Sequence, residues 1–332
     1  MSTKPKLALY WAASCGGCEI AVLAIDDKIL EVAKAFDIVL WPVAIDAKVR
    51  DIENLPDQSI DVCLFNGAVR NSEQEYMAQL LRRKSKFLVA FGSCAHEGGI
   101  PGLANLYGRD EIFQYVYINC PSVDNPDGVL PRPETQVAEG TLHIPVFYDT
   151  VKTLDQTVEV DYYVPGCPPE ADNIWAILQA VVAGLGGAPL PPPGTVLGKE
   201  TTVCDECIRT RTEKKIKAFQ RTWEIIPNET ECLLEQGLVC CGIATRAGCG
   251  ALCPKVNSPC IGCHGANADV EDLGARMMSA LSSVIDSNNP EEIDRIIGEG
   301  IPDPVGSFYR FSLPASLLRR KHLVSDGNGR KT

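Results

Sequence analysis

The chain has 332 residues, room for about two domains at ~100–200 residues each. Apolar residues make up 45% and charged residues 22%, a balance that excludes a wholly disordered or collagen-like chain. With 31 basic against 43 acidic residues the formal charge is −12, which argues against a nucleic-acid binder, and no apolar run reaches the ~18–20 residues of a membrane span.

Residues 6–13 (KLALYWAA) read as a buried strand, and residues 18–36 follow with helical spacing of Ile20, Leu23, Ile29, Leu30 and Ala33. Strands are predicted at 37–45 and 60–69, then a helix at 71–84, strands at 87–95 and 158–164, and a helix at 170–185. Strands alternating with helices imply an α/β fold, a doubly wound parallel sheet with helices on both faces. Residues 103–156 break the alternation and read as a long irregular insertion holding Cys120. The Pro- and Gly-rich stretch 186–194 reads as a linker, giving units of 1–188 and 189–332. In the second unit a helix is expected at 271–285, packing on the sheet domain through Leu273, Met277, Leu281 and Val284. Residues 302–314 read as an extended arm whose Phe308, Tyr309, Phe311 and Leu313 pack on the chain itself or grip a partner; residues 319–322 read as a solvated tail.

Fifteen cysteines are the unusual feature. The first ten residues show neither a signal-peptide apolar stretch nor a twin-arginine pair, so the expected setting is the reducing cytoplasm, where such a count points to metal. Cys15 and Cys18 follow the first strand, Cys94 ends the fourth and Cys167 the fifth. All four therefore fall at carboxyl ends of strands, where doubly wound sheets bind ligands, among glycines that let backbone approach closely. A 4Fe–4S cluster needs four thiolates. The competing reading is a thioredoxin-like redox pair at Cys15 and Cys18.

Nine cysteines crowd into residues 204–263: Cys204, Cys207, Cys232, Cys240, Cys241, Cys249, Cys253, Cys260 and Cys263. Two CxxC pairs with further cysteines between them signal metal, and spacing alone leaves zinc and iron–sulfur both open. Residues 232–263 are rich in Gly and Pro and poor in apolar side chains, and are expected to be organised by what the cysteines bind rather than by a core.

Together, Cys15-Gly-Gly-Cys18-Glu19, Gly92-Ser-Cys94-Ala with Gly98-Gly-Ile-Pro101, Pro165-Gly-Cys167-Pro-Pro169 and Pro259-Cys-Ile-Gly-Cys263 resemble the small subunit of nickel–iron hydrogenases. A shorter version of the pattern occurs in a subunit of respiratory complex I, which lacks the cysteine-rich second half. The resemblance implies a flavodoxin-like first domain and a mostly irregular iron–sulfur second domain with a few helices. It implies three 4Fe–4S clusters: proximal on Cys15, Cys18, Cys94 and Cys167; medial on Cys249, Cys253, Cys260 and Cys263; distal on Cys204, Cys207, Cys232 and Cys240. Many members have Pro at the place of Cys253 and His at that of Cys204. Cys63, Cys120 and Cys241 are left over, Cys63 as a core residue of a strand and Cys241 as an alternative to Cys240. All-cysteine ligation and the ending of residues 308–320 look most like the cytoplasmic, viologen-reducing group of methanogens. There the nickel–iron centre sits in a large subunit, and the acceptor is an iron–sulfur subunit linked to heterodisulfide reductase. The alternative is an electron-transfer subunit of another cytoplasmic hydrogenase or a complex-I-like oxidoreductase. Glu19, His96 and Glu97 adjoin proximal positions, where tuning or proton movement competes with solvated or structural roles.

Overall fold

The computed structural model describes residues 4–319. Strand β1 (Lys6–Trp11) leads into helices α1 (Gly17–Leu23) and α2 (Ile29–Ala35), strand β2 (Asp37–Leu40) and helix α3 (Val49–Glu53). Strands β3 (Ile60–Asn66) and β4 (Val69–Asn71), helix α4 (Ser72–Lys84), strand β5 (Ser85–Phe91) and helix α5 (Ser93–Glu97) follow. The segment beyond holds helix α6 (Arg109–Gln114) and strands β6 (Glu134–Val137), β7 (Gly140–His143) and β8 (Phe147–Lys152), before strand β9 (Tyr162–Val164), helix α7 (Ala171–Leu185) and strand β10 (Thr195–Val196).

Six strands form one sheet in the order β10-β9-β5-β3-β1-β2, and every pair in it is parallel. Strand β3 is buried along nearly its whole length, as expected of a central strand covered on both faces. Alternate residues feed two cores. Leu7, Leu9, Val62, Val89 and Val164 meet Val22, Val32, Ile174 and Leu178 on one side. Ala8, Cys63, Phe65 and Ala90 meet Ile52, Met77, Leu80 and Leu81 on the other. The doubly wound sheet is as expected, and Cys63 is a core residue of β3.

Several elements differ from the sequence reading. The single helix expected over 18–36 is split into α1 and α2 by a short 3₁₀ turn, where Asp26 takes a left-handed φ of 57°. The second strand stops at Leu40, two residues before Pro42, which has no N–H to give a ladder. The insertion is more ordered than expected: β6 and β7 form a hairpin, and β8 pairs antiparallel with β4. Asn105 fastens the insertion by donating to the Val151 carbonyl at 3.0 Å and accepting from its N–H at 2.8 Å. Strand β10, after the Pro-rich stretch, joins the first sheet through β9.

The second half contains helices α8 (Val203–Glu206), α9 (Leu252–Lys255), α10 (Leu273–Val284), α11 (Pro290–Gly300) and α12 (Pro304–Phe308). It has a core of its own, in which Leu234, Ala244 and Ala251 from the cysteine-rich stretch sit with Ile216, Met277 and Leu281. Two expectations are thereby corrected. The cysteine-rich stretch does help to build a core, because these apolar residues turn inward. Helix α10 packs there rather than on the sheet domain: a Cβ on Gly274 would lie 2.2 Å from the Tyr309 ring. The arm is a short helix and turns, not an extended strand, and Phe308, Tyr309, Phe311 and Leu313 are all buried against this chain. Its Phe311 carbonyl accepts from Gly99 N–H at 2.8 Å, just past Cys94. Of the expected tail, residues 320–322 lie outside the described residues. Among the described residues no helix is long and apolar enough to cross a membrane.

Candidate metal centres

Parallel pairing puts the ends of β1, β5 and β9 at one edge of the sheet, and the segments after them carry Cys15 in a turn, Cys18 in α1, Cys94 in α5 rather than at the end of a strand, and Cys167 in a loop. These thiols lie close enough to repel one another as thiolates. Burial raises the Cys18 thiol far above its ordinary pKa, and Cys94, Cys167 and Cys15 raise it further. Burial, then Cys167 and Cys15, push Cys94 up to about 12, while the Ile100 N–H opposes the rise. Cys167 is raised by burial and by Cys15. Glycine is required around them. At Gly92, with φ 83°, a Cβ would lie 2.4 Å from Cys18 Sγ; at Gly99, with φ 58°, it would lie 2.4 Å from Cys94 Sγ. Four converging thiols in a glycine-lined cradle fit a polynuclear cation, which replaces the protons and turns mutual repulsion into ligation. A two-cysteine redox pair leaves Cys94 and Cys167 without a role.

A second set lines one pocket: Cys204, Cys207, Cys232 and Cys240, together with Arg209 and Arg211. Cys204 sits in α8, whose start is capped by Thr202 and Asp205, with Thr202 N–H donating to Asp205 at 2.8 Å. Burial pushes Cys204 up to about 12, Cys240 adds to this, Arg211 opposes it, and Cys232 and Cys207 contribute. Cys240 is raised by burial, with N–H groups of Gly242 and Cys260 favouring its thiolate. Cys241, by contrast, is buried in the core of the second half with Cys240 as its thiol neighbour. Cys240, and not Cys241, lines this pocket.

The third set is only partly drawn together. Burial pushes Cys263 up to about 12, the Cys167 N–H opposes this, and Glu170, Cys249 and Cys253 raise it. Cys260 faces elsewhere: its thiol donates to Thr245 Oγ1 at 3.6 Å, and its thiol neighbours are Cys240 and Cys241. In place of a fourth thiol, Glu170 and His264 stand beside Cys249, and the three offer ligand atoms within 4.8 Å of one another. His264 Nε2 lies 2.8 and 3.0 Å from the two Glu170 carboxylate oxygens. Burial alone would raise Glu170, but His264 and Asn173 hold it below its ordinary pKa. The sequence reading missed this pair; His264 directly after the last CxxC was the available signal.

Adjacent sets are bonded to each other. The Cys167 N–H favours the Cys263 thiolate, and Ser93 Oγ, beside Cys94, donates to the Cys263 carbonyl. The Cys260 N–H donates to Cys240 Sγ at 3.3 Å, and the Cys241 N–H to the Cys260 carbonyl at 2.8 Å. Glu19 and Glu97 are buried, not solvated. Burial pushes Glu97 up to about 7, against the Ala266 N–H and Arg246. Burial raises Glu19, against a hydrogen bond from Asn66 at 3.4 Å. Cys120, outside all three sets, lies 3.2 Å from Ser122 Oγ.

Residues 15–181 match the family described as NADH ubiquinone oxidoreductase, 20 Kd subunit. The chain is 42% identical to the iron-sulfur subunit of the F420-non-reducing hydrogenase of Archaeoglobus profundus, over 95% of this chain and 98% of that one. It is 36% identical to a subunit of the F420-non-reducing hydrogenase of Methanothermobacter thermautotrophicus, over 97% and 98%. Among solved structures, a chain of Dm. baculatum [NiFeSe]-hydrogenase superposes with a TM-score of 0.51 over 79% of this chain and 95% of that one, at 18% identity.

Proposed function

Because the chain belongs to the NADH ubiquinone oxidoreductase 20 kDa subunit family, among its nickel–iron hydrogenase small subunits, we propose that it carries electrons between a hydrogenase large subunit and an acceptor through three 4Fe–4S clusters. Cys15, Cys18, Cys94 and Cys167 would hold the proximal cluster; Cys249, Cys253, Cys260 and Cys263 the medial; Cys204, Cys207, Cys232 and Cys240 the distal. Each cluster, when bound, supplies a one-electron site. The observation that carries the reading is the pair of hydrogen bonds between neighbouring sets, from Ser93 beside Cys94 to the Cys263 carbonyl and from the Cys260 N–H to Cys240 Sγ, which supports that order. Glycines at 92 and 99 hold backbone against the proximal thiols, and burial excludes water from Cys18, Cys94 and Cys260. For Cys260 to join the medial set its side chain must turn from Thr245.

The nickel–iron centre belongs to the partner large subunit, whose seat would be the apolar surface around Cys15, where Ile20 is 67% exposed and Leu23 and Val43 are exposed beside it. The acceptor would dock at the other end. Ile208 beside Cys207, and Trp223 and Ile226 further along, are exposed in a segment that also carries Arg211, Lys214, Lys215, Lys217 and Arg221. Such a surface suits an acidic iron–sulfur subunit, in this reading one linked to heterodisulfide reductase in the cytoplasm. Residues 1–188 and 189–332 would be the two functional units, with β10 of the second completing the sheet of the first. The test is activity by composition: the isolated chain neither takes up nor evolves dihydrogen, and recombination with the large subunit lets dihydrogen bleach its iron–sulfur absorbance. Dihydrogen turnover by the isolated chain would refute the assignment.

A further inference from the structure

Two arginines line the pocket of Cys204, Cys207, Cys232 and Cys240, in different surroundings. Arg211 is exposed, and its charge opposes the rise of the Cys204 thiol. Arg209 is only 8% exposed. Its Nε donates to the Pro254 carbonyl at 3.0 Å, its Nη1 to the carbonyls of Asn228 and Glu231 at 2.6 and 3.0 Å, and its Nη2 to Asn257 Oδ1 at 2.6 Å. These partners flank cysteines of two sets: Glu231 precedes Cys232, and Pro254 follows Cys253 in α9. One guanidinium therefore pins the loop of the distal set to the turn of the medial set.

All four acceptors are uncharged amide oxygens, so they satisfy N–H groups of the guanidinium without cancelling its charge. A buried charge is ordinarily paired, because removing it from water is costly. The pocket that Arg209 lines can supply the missing partner. It keeps backbone close against its thiols: a Cβ on Gly242 would lie 3.4 Å from Cys204 Sγ and 3.7 Å from Cys240 Sγ. A 4Fe–4S core on four thiolates is a net anion, and it gains a further negative charge when it takes up an electron. A cation held beside it favours that reduced form and raises the potential. Burial spares Arg209 the screening by water and salt that weakens the field of the exposed Arg211.

We propose that Arg209 is a positioning residue for electron exit: its buried charge is the counter-charge of the distal cluster and raises that cluster's potential, and its hydrogen bonds hold the charge in place between the distal and medial loops. The proposal rests on the cluster assignment above and adds to it the residue that makes the distal site the electron-accepting end. A redox titration of the iron-loaded full chain, followed by electron paramagnetic resonance, tests it; the distal signal is the one lost in Cys232→Ala. Arg209→Gln should shift the distal reduction equilibrium at least about tenfold toward the oxidised form, ~59 mV for a one-electron couple, with iron content unchanged and at low and high salt alike. Arg209→Lys keeps the charge and should stay within about threefold of the parent. Arg211→Gln should give a smaller shift that fades as salt is added. If Arg209→Gln loses the distal irons, Arg209→Lys decides: a distal equilibrium within about threefold of the parent supports the proposal, and a fall of about tenfold overturns it. An unmoved distal potential in Arg209→Gln at full iron, or equal falls in the Gln and Lys variants, overturns the proposal alone. A parent chain without a distal signal overturns the cluster assignment and the proposal with it.

Discussion

At Gly99 the demands on a single residue are unusually explicit. A methyl there would strain a φ of 58° and press within 2.4 Å of Cys94 Sγ. Gly99→Ala should therefore cost the proximal cluster, about four irons per chain, while far-UV circular dichroism stays near that of the parent. Cys253 offers the opposite case. It is exposed and the second residue of α9, where the backbone N–H has no intrahelical acceptor and Pro is tolerated. Cys253→Pro should convert the medial cluster to 3Fe–4S, with loss of about one iron, a new paramagnetic signal in the oxidised state and a raised potential, since a negative ligand is gone. Unchanged iron and no new signal would remove Cys253 from the ligand set. Glu97 gives a pH dependence. Its folded pKa of about 7 lies above the ordinary glutamate value, so the folded state holds the proton more tightly. That contribution is fully present below the unfolded value and is lost as pH rises through about 7. Glu97→Gln should then match the parent near pH 4 and be the more stable at pH 8, by on the order of 3 kcal/mol in chemical unfolding.

At the scale of elements, the parallel sheet was legible because β1, β3 and β5 are near-continuous apolar runs, and four cysteines following three strands marked the site edge. What escaped was decided by contacts between distant segments. The split of α1 from α2 turns on one left-handed Asp26 inside an otherwise helical pattern. Strand β8 is recognisable only beside β4, and the seat of α10 only from Gly274 against Tyr309, far along the chain. The orientation of Cys260 and the Glu170–His264 pair likewise depend on how loops meet, which spacing does not encode. The α10 contact is testable: Gly274→Ala forces a methyl into the Tyr309 ring and should lower stability by about 1–3 kcal/mol in thermal unfolding, with no change in cluster content.

On the scale of the whole molecule, the two ends of the chain of cysteine sets expose different chemistry. The proximal end is apolar around Cys15, and the distal end mixes basic residues with exposed Trp223 and Ile226. Ile20→Lys should accordingly weaken pairing with the large subunit without loss of iron. Replacing Lys214, Lys215 and Lys217 with Glu should slow delivery to the acceptor, more so at low ionic strength, while dihydrogen still reduces the clusters. The central claim is that twelve of the fifteen cysteines hold three 4Fe–4S clusters. Its most direct test is the anaerobic count of iron and acid-labile sulfide per chain. About twelve of each are expected, with little zinc. A count of about eight irons, or zinc in their place, would contradict it.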